Sequence, residues 1–226
     1  MTLVVAHRGA SAAFPPGNTI EAFAASGPLG ADWVELDARA GADGGIIVHH
    51  DPDLADGRVI GMLAGADLPT WVPSLVAAIT ASDGLGVNVE IKPDGPGDLQ
   101  PRLIEGVVSL LRSLAEPERF LVTSFDLDIV DRVHLLAPEL PTGLLTVGDI
   151  RVDDSIATAA AHGHRAINPW VGVVDAEAID RAHDLGIEVN VWTVDDPDVM
   201  ARLVADGVDA IITNVPDVCR RVVSPT

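Results

Sequence analysis

LVVAHRG at residues 3–9 and WVELDA at residues 33–38 decide how the rest of this chain is read. The first is an apolar run, Leu3 to Ala6, that stops at His7, Arg8 and a glycine. The second carries Glu35 and Asp37 two positions apart. Side chains at i and i+2 of a strand share a face, so the two carboxylates project together. Burying such a pair in an apolar strand is costly unless positive charge lies between them. A hard divalent cation, which prefers oxygen ligands, suits that position. A solvent-facing strand of alternating polarity is the plainer alternative for this segment alone. A third piece, IIVHHD at residues 46–51, ends another apolar run in His49, His50 and Asp51. Together the three pieces predict two histidines and a metal at the mouth of one pocket.

Outward from these segments, short β-rich runs alternate with longer helical patterns, the signature of a parallel α/β architecture. Strands are predicted at residues 3–6, 33–38, 86–92, 120–123, 142–145, 166–168, 188–192 and 210–213. A Gly-rich turn at 41–45 leads into residues 46–49 as a hairpin or a bulged continuation of the second strand. The first helix begins near Ile20, with Asn18 or Thr19 as its cap. Further helices are predicted at about 73–82, 98–114, 127–136, 153–161, 176–185, 197–205 and 216–223. Pro73 suits a first helical position, and Gly186 a helix stop. Eight strand–helix units predict a (β/α)8 TIM barrel with a short insertion after strand 2, one domain over residues 1–226. A doubly wound open sheet would predict a glycine-rich phosphate turn after strand 1, and HRGASAAFPPGN does not match GxGxxG.

Composition narrows the function classes. Hydrophobic residues make up 48% of the 226 positions, enough for a large core and against global disorder. Fourteen basic and 34 acidic residues give a net charge of −20, which argues against nucleic acid or an anionic membrane as partner. An anionic small substrate stays possible if the site itself is locally positive. The single Cys219 rules out an internal disulfide and reads as a buried, inert thiol. The absence of a basic segment followed by a long apolar run, and of any run of about 18–20 apolar residues, predicts a cytoplasmic protein without membrane insertion. Nothing in the sequence fixes an oligomeric state.

In such a barrel the active site lies at the C-terminal ends of the strands. The unusual polar residues fall there: His7 and Arg8 after strand 1, Glu35 and Asp37 closing strand 2, and His50 ending its extension. Glu90 and Lys92 close strand 3, Ser124 and Phe125 follow strand 4, and Trp192 closes strand 7. Three carboxylates suit Mg²⁺ or Ca²⁺ better than Zn²⁺, since no Cys cluster or HExxH spacing is present. With one divalent ion, Arg8 and Lys92 they leave a formal charge of +1, able to attract a phosphate. His7 and His50 titrate in the range that acid–base work requires. The set fits phosphodiester hydrolysis.

The segments VVAHRGASAAFPPGNTIEAF, GADWVELDARAGADGGIIVHHDPDL, VNVEIK, LVTSFD and VNVWTVDDPDVMARLVADGVDAIITNVPD resemble the glycerophosphodiester phosphodiesterase family over nearly the whole length. HRG or ExD alone is weak, but the combination is specific. The resemblance implies that His7 and His50 are the acid–base pair. It puts the metal ligands at Glu35, Asp37 and Glu90 and the phosphate-binding groups at Arg8 and Lys92. Trp192 in VWTV matches an aromatic at the substrate pocket, with Phe125 as a further candidate wall. The implied reaction cleaves a small glycerophosphodiester to glycerol 3-phosphate and an alcohol with one divalent cation. Three departures stand out: Gly17 where the family usually reads PENT, Asp56-Gly57-Arg58 in place of an RTT-like segment, and a short insertion after strand 2.

Other candidates receive plainer readings. His49 is expected to support or face solvent, His134 and His183 to be structural within helices, and His162 and His164, around Gly163, receive no role. Trp33, Trp71 and Trp170 are expected to pack, and Glu21 could stand in for the missing PENT carboxylate. Residues 52–71 are expected to form the pocket's cover. A lysophospholipase D or a cyclic-phosphate-forming lyase is the competing enzyme reading, which exposed apolar residues in that segment would favour. A catalytically dead barrel that binds phosphate esters is the third.

Overall fold

The computed structural model describes residues 1–93, 99–148 and 151–224. Strand β1 (Leu3–Ala6) leaves the N-terminus directly and pairs in parallel with β2 (Trp33–Ala40) on one side. A short β3 (Ile46–Val48) turns back antiparallel on β2, Ala38 facing Val48, so the segment after the Gly-rich turn is a hairpin. Next come β4 (Gly86–Ile91), β5 (Phe120–Ser124), β6 (Thr142–Thr146), β7 (Ala166–Pro169), β8 (Glu188–Val191) and β9 (Ala210–Thr213), each parallel to its neighbour. β9 pairs with β1, which closes eight parallel strands into a ring. The fold is a (β/α)8 TIM barrel with β3 as an insertion.

Among the described residues, eight helices surround the ring: α1 (Ile20–Ser26), α2 (Leu75–Ala81), α3 (Leu99–Ser113), α4 (Leu127–Leu136), α5 (Val152–His162), α6 (Ala176–Asp184), α7 (Pro197–Ala205) and α8 (Pro216–Val223). In α3 the stripe Leu103, Val107 and Leu111 is buried against the sheet, together with Ile104 and Val108. Each such side chain contributes about 1.5–3 kcal/mol by leaving water. Leu114 falls past the helix end and is 37% exposed, and the expected start at Asp98 lies outside the described residues.

One helix start differs from expectation by two residues. α2 begins two residues after Pro73, because the Ser74 hydroxyl accepts from the Ala77 amide and takes the capping position. Thr19 caps α1, which frees Asn18 for another task.

The insertion, residues 52–72, folds around its own apolar cluster of Ile47, Leu54, Ile60 and Val72, with two 3-10 turns at Ile60–Met62 and Gly65–Asp67. No helix of the described residues is long and apolar enough to cross a membrane. Cys219 is buried, and burial pushes its thiol up to about 12.

Candidate active site

At the C-terminal mouth of the barrel, β2 carries Glu35, Asp37 and Arg39 on alternate positions, all buried. β4 runs beside it with Asp37 opposite Glu90, and Lys92 follows just past the strand end. Oxygen atoms of Glu35, Asp37 and Glu90 lie within 4.8 Å of one another. Lys92 Nζ sits 2.9 Å from Asp37 Oδ1 and contacts Glu90 Oε1 as well. Burial and the Asp37 charge push the Glu35 carboxyl well above its usual range and move Glu90 up to about 7. Asp37 is held below its usual value, because Lys92 and Arg8 outweigh its own burial. Glu35 Oε1 is buried without a hydrogen-bond partner. An orphaned carboxylate oxygen among three clustered carboxyl groups is what a divalent cation would satisfy, so the residues fit such an ion.

The loop after β1 completes the wall. Arg8 has φ +57°, a left-handed conformation uncommon outside glycine. That conformation turns the Arg8 amide onto Glu35 Oε2 at 2.9 Å and brings its Nε to 3.3 Å from Asp37 Oδ2. Asn18, also left-handed, donates from Nδ2 to Asp37 Oδ2 at 2.6 Å, and its amide donates to the Arg8 carbonyl. Between them Gly17 has φ +82°, and a Cβ there would stand 2.8 Å from Ser11 Cβ and 2.9 Å from Arg8 Cβ. Glu21 is exposed on α1, beside a groove formed with Phe14, Pro15 and Trp71, and lines no part of the main cavity.

The two histidines are held differently. His7 Nδ1 lies 2.7 Å from Asn214 Oδ1, and Asn214 Nδ2 donates to Asp195 Oδ2 at 2.7 Å. The second bond fixes which end of the Asn214 amide faces His7, so His7 carries its proton on Nδ1. Its Nε2 is then left facing Glu35 Oε2 at 3.9 Å. Burial and the Arg8 charge hold His7 below its usual value. His50 is half-buried, with Nδ1 2.7 Å from Asp51 Oδ1. Burial lowers it too, with Asp37 and Asp51 acting in the opposite direction. Arg39 donates from Nε and Nη2 to the His50 carbonyl and anchors that residue's backbone.

His7, Arg8, Glu35, His50, Glu90, Lys92, Phe125 and Trp192 all line one cavity, and Asp37 sits buried beneath it. Phe125 meets Trp192 edge-on with ring centroids 5.5 Å apart, and Lys92 Nζ stands 5.9 Å from the Phe125 ring. The insertion 52–71 contributes no residue to that lining, so it is not the cover expected; its Leu54 and Ile60 pack with Ile47 and Val72 instead. His49 bonds the Asp51 carbonyl and packs near Trp71. Trp33 packs as expected, whereas Trp71 and Trp170 are 42% and 43% exposed. A separate apolar cavity at the opposite end, around Leu3, Val5, Phe120 and Ala210, is lined by neither His7 nor His50.

Asn18, Arg39, Asp195 and Asn214 were not among the expected site residues. Arg39 could have been found from the alternation Glu35, Asp37, Arg39. The amides carry no local signal.

The model of the Glycerophosphoryl diester phosphodiesterase family matches residues 7–218. The chain belongs to that family. It is 30% identical to the glycerophosphodiester phosphodiesterase of Caldanaerobacter subterraneus subsp. tengcongensis, over 96% of this chain and 95% of that one. Against the glycerophosphodiester phosphodiesterase of Bacillus subtilis the identity is 27%, over 97% and 86%. The crystal structure of glycerophosphodiester phosphodiesterase from Agrobacterium tumefaciens superposes with a TM-score of 0.80 at 26% identity, covering 98% of this chain and 99% of that one. An Oleispira antarctica phosphodiesterase in complex with the product sn-glycerol-3-phosphate superposes at 0.87 over 99% and 97%, and at 23% identity that likeness speaks for the fold alone.

Proposed function

We propose that this chain, as one domain working in the cytoplasm, hydrolyses small glycerophosphodiesters to glycerol 3-phosphate and an alcohol. Glu35, Asp37 and Glu90 would hold one Mg²⁺ or Ca²⁺, which when bound supplies positive charge against a phosphoryl oxygen. Arg8 and Lys92 orient the phosphate from the same side, and Phe125 with Trp192 forms the apolar wall for the rest of the substrate. The observation that carries this reading is that His7, whose Nε2 lies 3.9 Å from Glu35 Oε2, and His50 line one cavity.

The partners of the two histidines suggest the division of labour. His7 rests on a neutral amide, which fixes its tautomer without stabilising an imidazolium, so its free Nε2 takes the proton of the attacking oxygen. His50 has a carboxylate beside it that favours the charged ring, so it protonates the departing alkoxide.

A lysophospholipase D reading gains support only from exposed Val59, Met62 and Trp71 in the insertion, and none of them lines the cavity. The test is a coupled glycerol 3-phosphate assay on glycerophosphocholine, glycerophosphoethanolamine and a lysophospholipid, in chelator and then with Mg²⁺ or Ca²⁺. Turnover of the small diesters that requires the cation is expected. Full turnover in a verified metal-free sample, or no glycerol 3-phosphate from any diester, would refute the proposal.

A further inference from the structure

At the end of the barrel opposite the catalytic mouth, α4 and the turn between α5 and β7 bring Asp131, His162 and His164 together. One ligand atom from each lies within 4.8 Å of the others. Asp131 Oδ1 is 2.9 Å from His162 Nδ1 and 3.1 Å from His164 Nε2. Ligands held at about 2.0–2.1 Å around a tetrahedral Zn²⁺ stand about 3.3 Å apart, so these spacings are close to the edges of such a tetrahedron.

Two features separate this cluster from an ordinary surface ion pair. The His164 side chain is fully buried, yet its Nε2 has no aligned hydrogen bond, despite the nearness of the carboxylate. Its other nitrogen, Nδ1, lies 3.0 Å from the buried Thr142 hydroxyl. That hydroxyl can accept from Nδ1–H, the outer contact that in a metal-bound imidazole leaves the inner nitrogen's lone pair for the ion. The turn is also shaped for convergence. Gly163 caps α5 at φ +78°, which allows His162, at the helix end, and His164, next to the strand, to point at the same carboxylate. His134 lies alongside, its ring edge-on to His164 with centroids 5.9 Å apart.

We propose that Asp131, His162 and His164 bind a Zn²⁺-class transition ion, with water completing the coordination, as a clamp between α4 and the α5–β7 turn. Two imidazoles and one carboxylate select for such an ion over Mg²⁺ and Ca²⁺, which the all-oxygen set at the mouth prefers. The two sites therefore differ in both chemistry and location.

The test counts ions. Chelator-stripped protein in excess Mg²⁺ is titrated with Zn²⁺ by calorimetry and with Co²⁺ by visible absorption. The parent and Glu90→Gln should each take up one equivalent more than His162→Ala, and that equivalent of Co²⁺ should carry the intense bands of tetrahedral coordination. Zn²⁺ should raise the Tm of the parent more than that of His162→Ala, while turnover of the two in Mg²⁺ stays equal. His162 is exposed, and His162→Gln serves as a second variant should the alanine disturb folding. Equal Zn²⁺ stoichiometry in parent and His162 variants, or an extra equivalent lost in Glu90→Gln instead, would overturn the proposal.

Discussion

Stripped of divalent ions, the protein should lose stability relative to Glu90→Gln as pH rises from about 5 to about 8. Burial and the Asp37 charge move the Glu90 carboxyl from 4.5 to about 7, with Lys92 opposing them. Between those values the folded chain holds a proton that the unfolded chain has released, so raising the pH favours unfolding. The separation corresponds to about 3 kcal/mol, fully felt above pH 7. For a chain of this length that is a fall in Tm of about 6–12 °C. His7 and His50 are lowered from 6.5 and act with the opposite sign below that value, but they are common to parent and variant and cancel in the difference. Glu35, raised as well by burial, acts with the same sign as Glu90 in both proteins. Thermal unfolding followed by circular dichroism, at several pH values in chelator and again in Mg²⁺ or Ca²⁺, reads the effect. A bound cation favours the ionised carboxylates, so the ion should flatten the parent's decline and expel protons as it binds. Parallel Tm curves for parent and Glu90→Gln in chelator would refute the assigned burial penalty.

His7→Ala and His50→Ala should each lose on the order of a hundredfold to ten-thousandfold on glycerophosphocholine. On a p-nitrophenyl phosphodiester, whose leaving group needs no acid, His50→Ala should recover much of its rate and His7→Ala should not; equal recovery would reverse or abolish the division of roles. Asn214→Ala should reduce kcat about 10–100-fold through the lost orientation of His7. Asn214→Asp should move the acidic limb of the pH–rate profile upward, by placing a carboxylate on the ring; an unmoved limb would show that His7 is not the group titrating there. Lys92→Met leaves buried carboxylates uncompensated and should cost about 3–5 kcal/mol in chelator, largely recovered in Mg²⁺; unfolding at the parental Tm in chelator would contradict the ion-pair geometry. Small diesters should be preferred to lysophospholipids in kcat/KM, because the cavity's apolar wall is limited to a few side chains such as Phe125 and Trp192.

The barrel and its carboxylates were legible because both leave marks within a few residues. Glu35 and Asp37 interrupt an apolar strand at the spacing of one face, and Glu90 with Lys92 repeats the pattern on the neighbouring strand. Asn214 is a different case. It meets His7 from 207 positions away, and nothing in the sequence ITNVP distinguishes an amide that orients a histidine ring from one that ends a strand. Asn18 was visible only as a helix cap, since Asn and Thr compete for that position and the outcome depends on Asp37 being within reach. The insertion was misjudged because Leu54, Ile60 and Val72 have no regular period. Their cluster forms only when the 3-10 turns fold them inward.

Gly17 constrains how the site can change over generations. A carboxylate cannot be restored beside the pocket by one codon change, because any Cβ at that φ of +82° meets Arg8 and Ser11 below 3 Å. The loop would first have to open, and opening it withdraws the Arg8 amide from Glu35 and Asn18 from Asp37. Glycine and loop path are thus locked to each other. A lineage or a designer seeking a fourth acidic group must rebuild residues 8–18 together, or bring the group in from another strand.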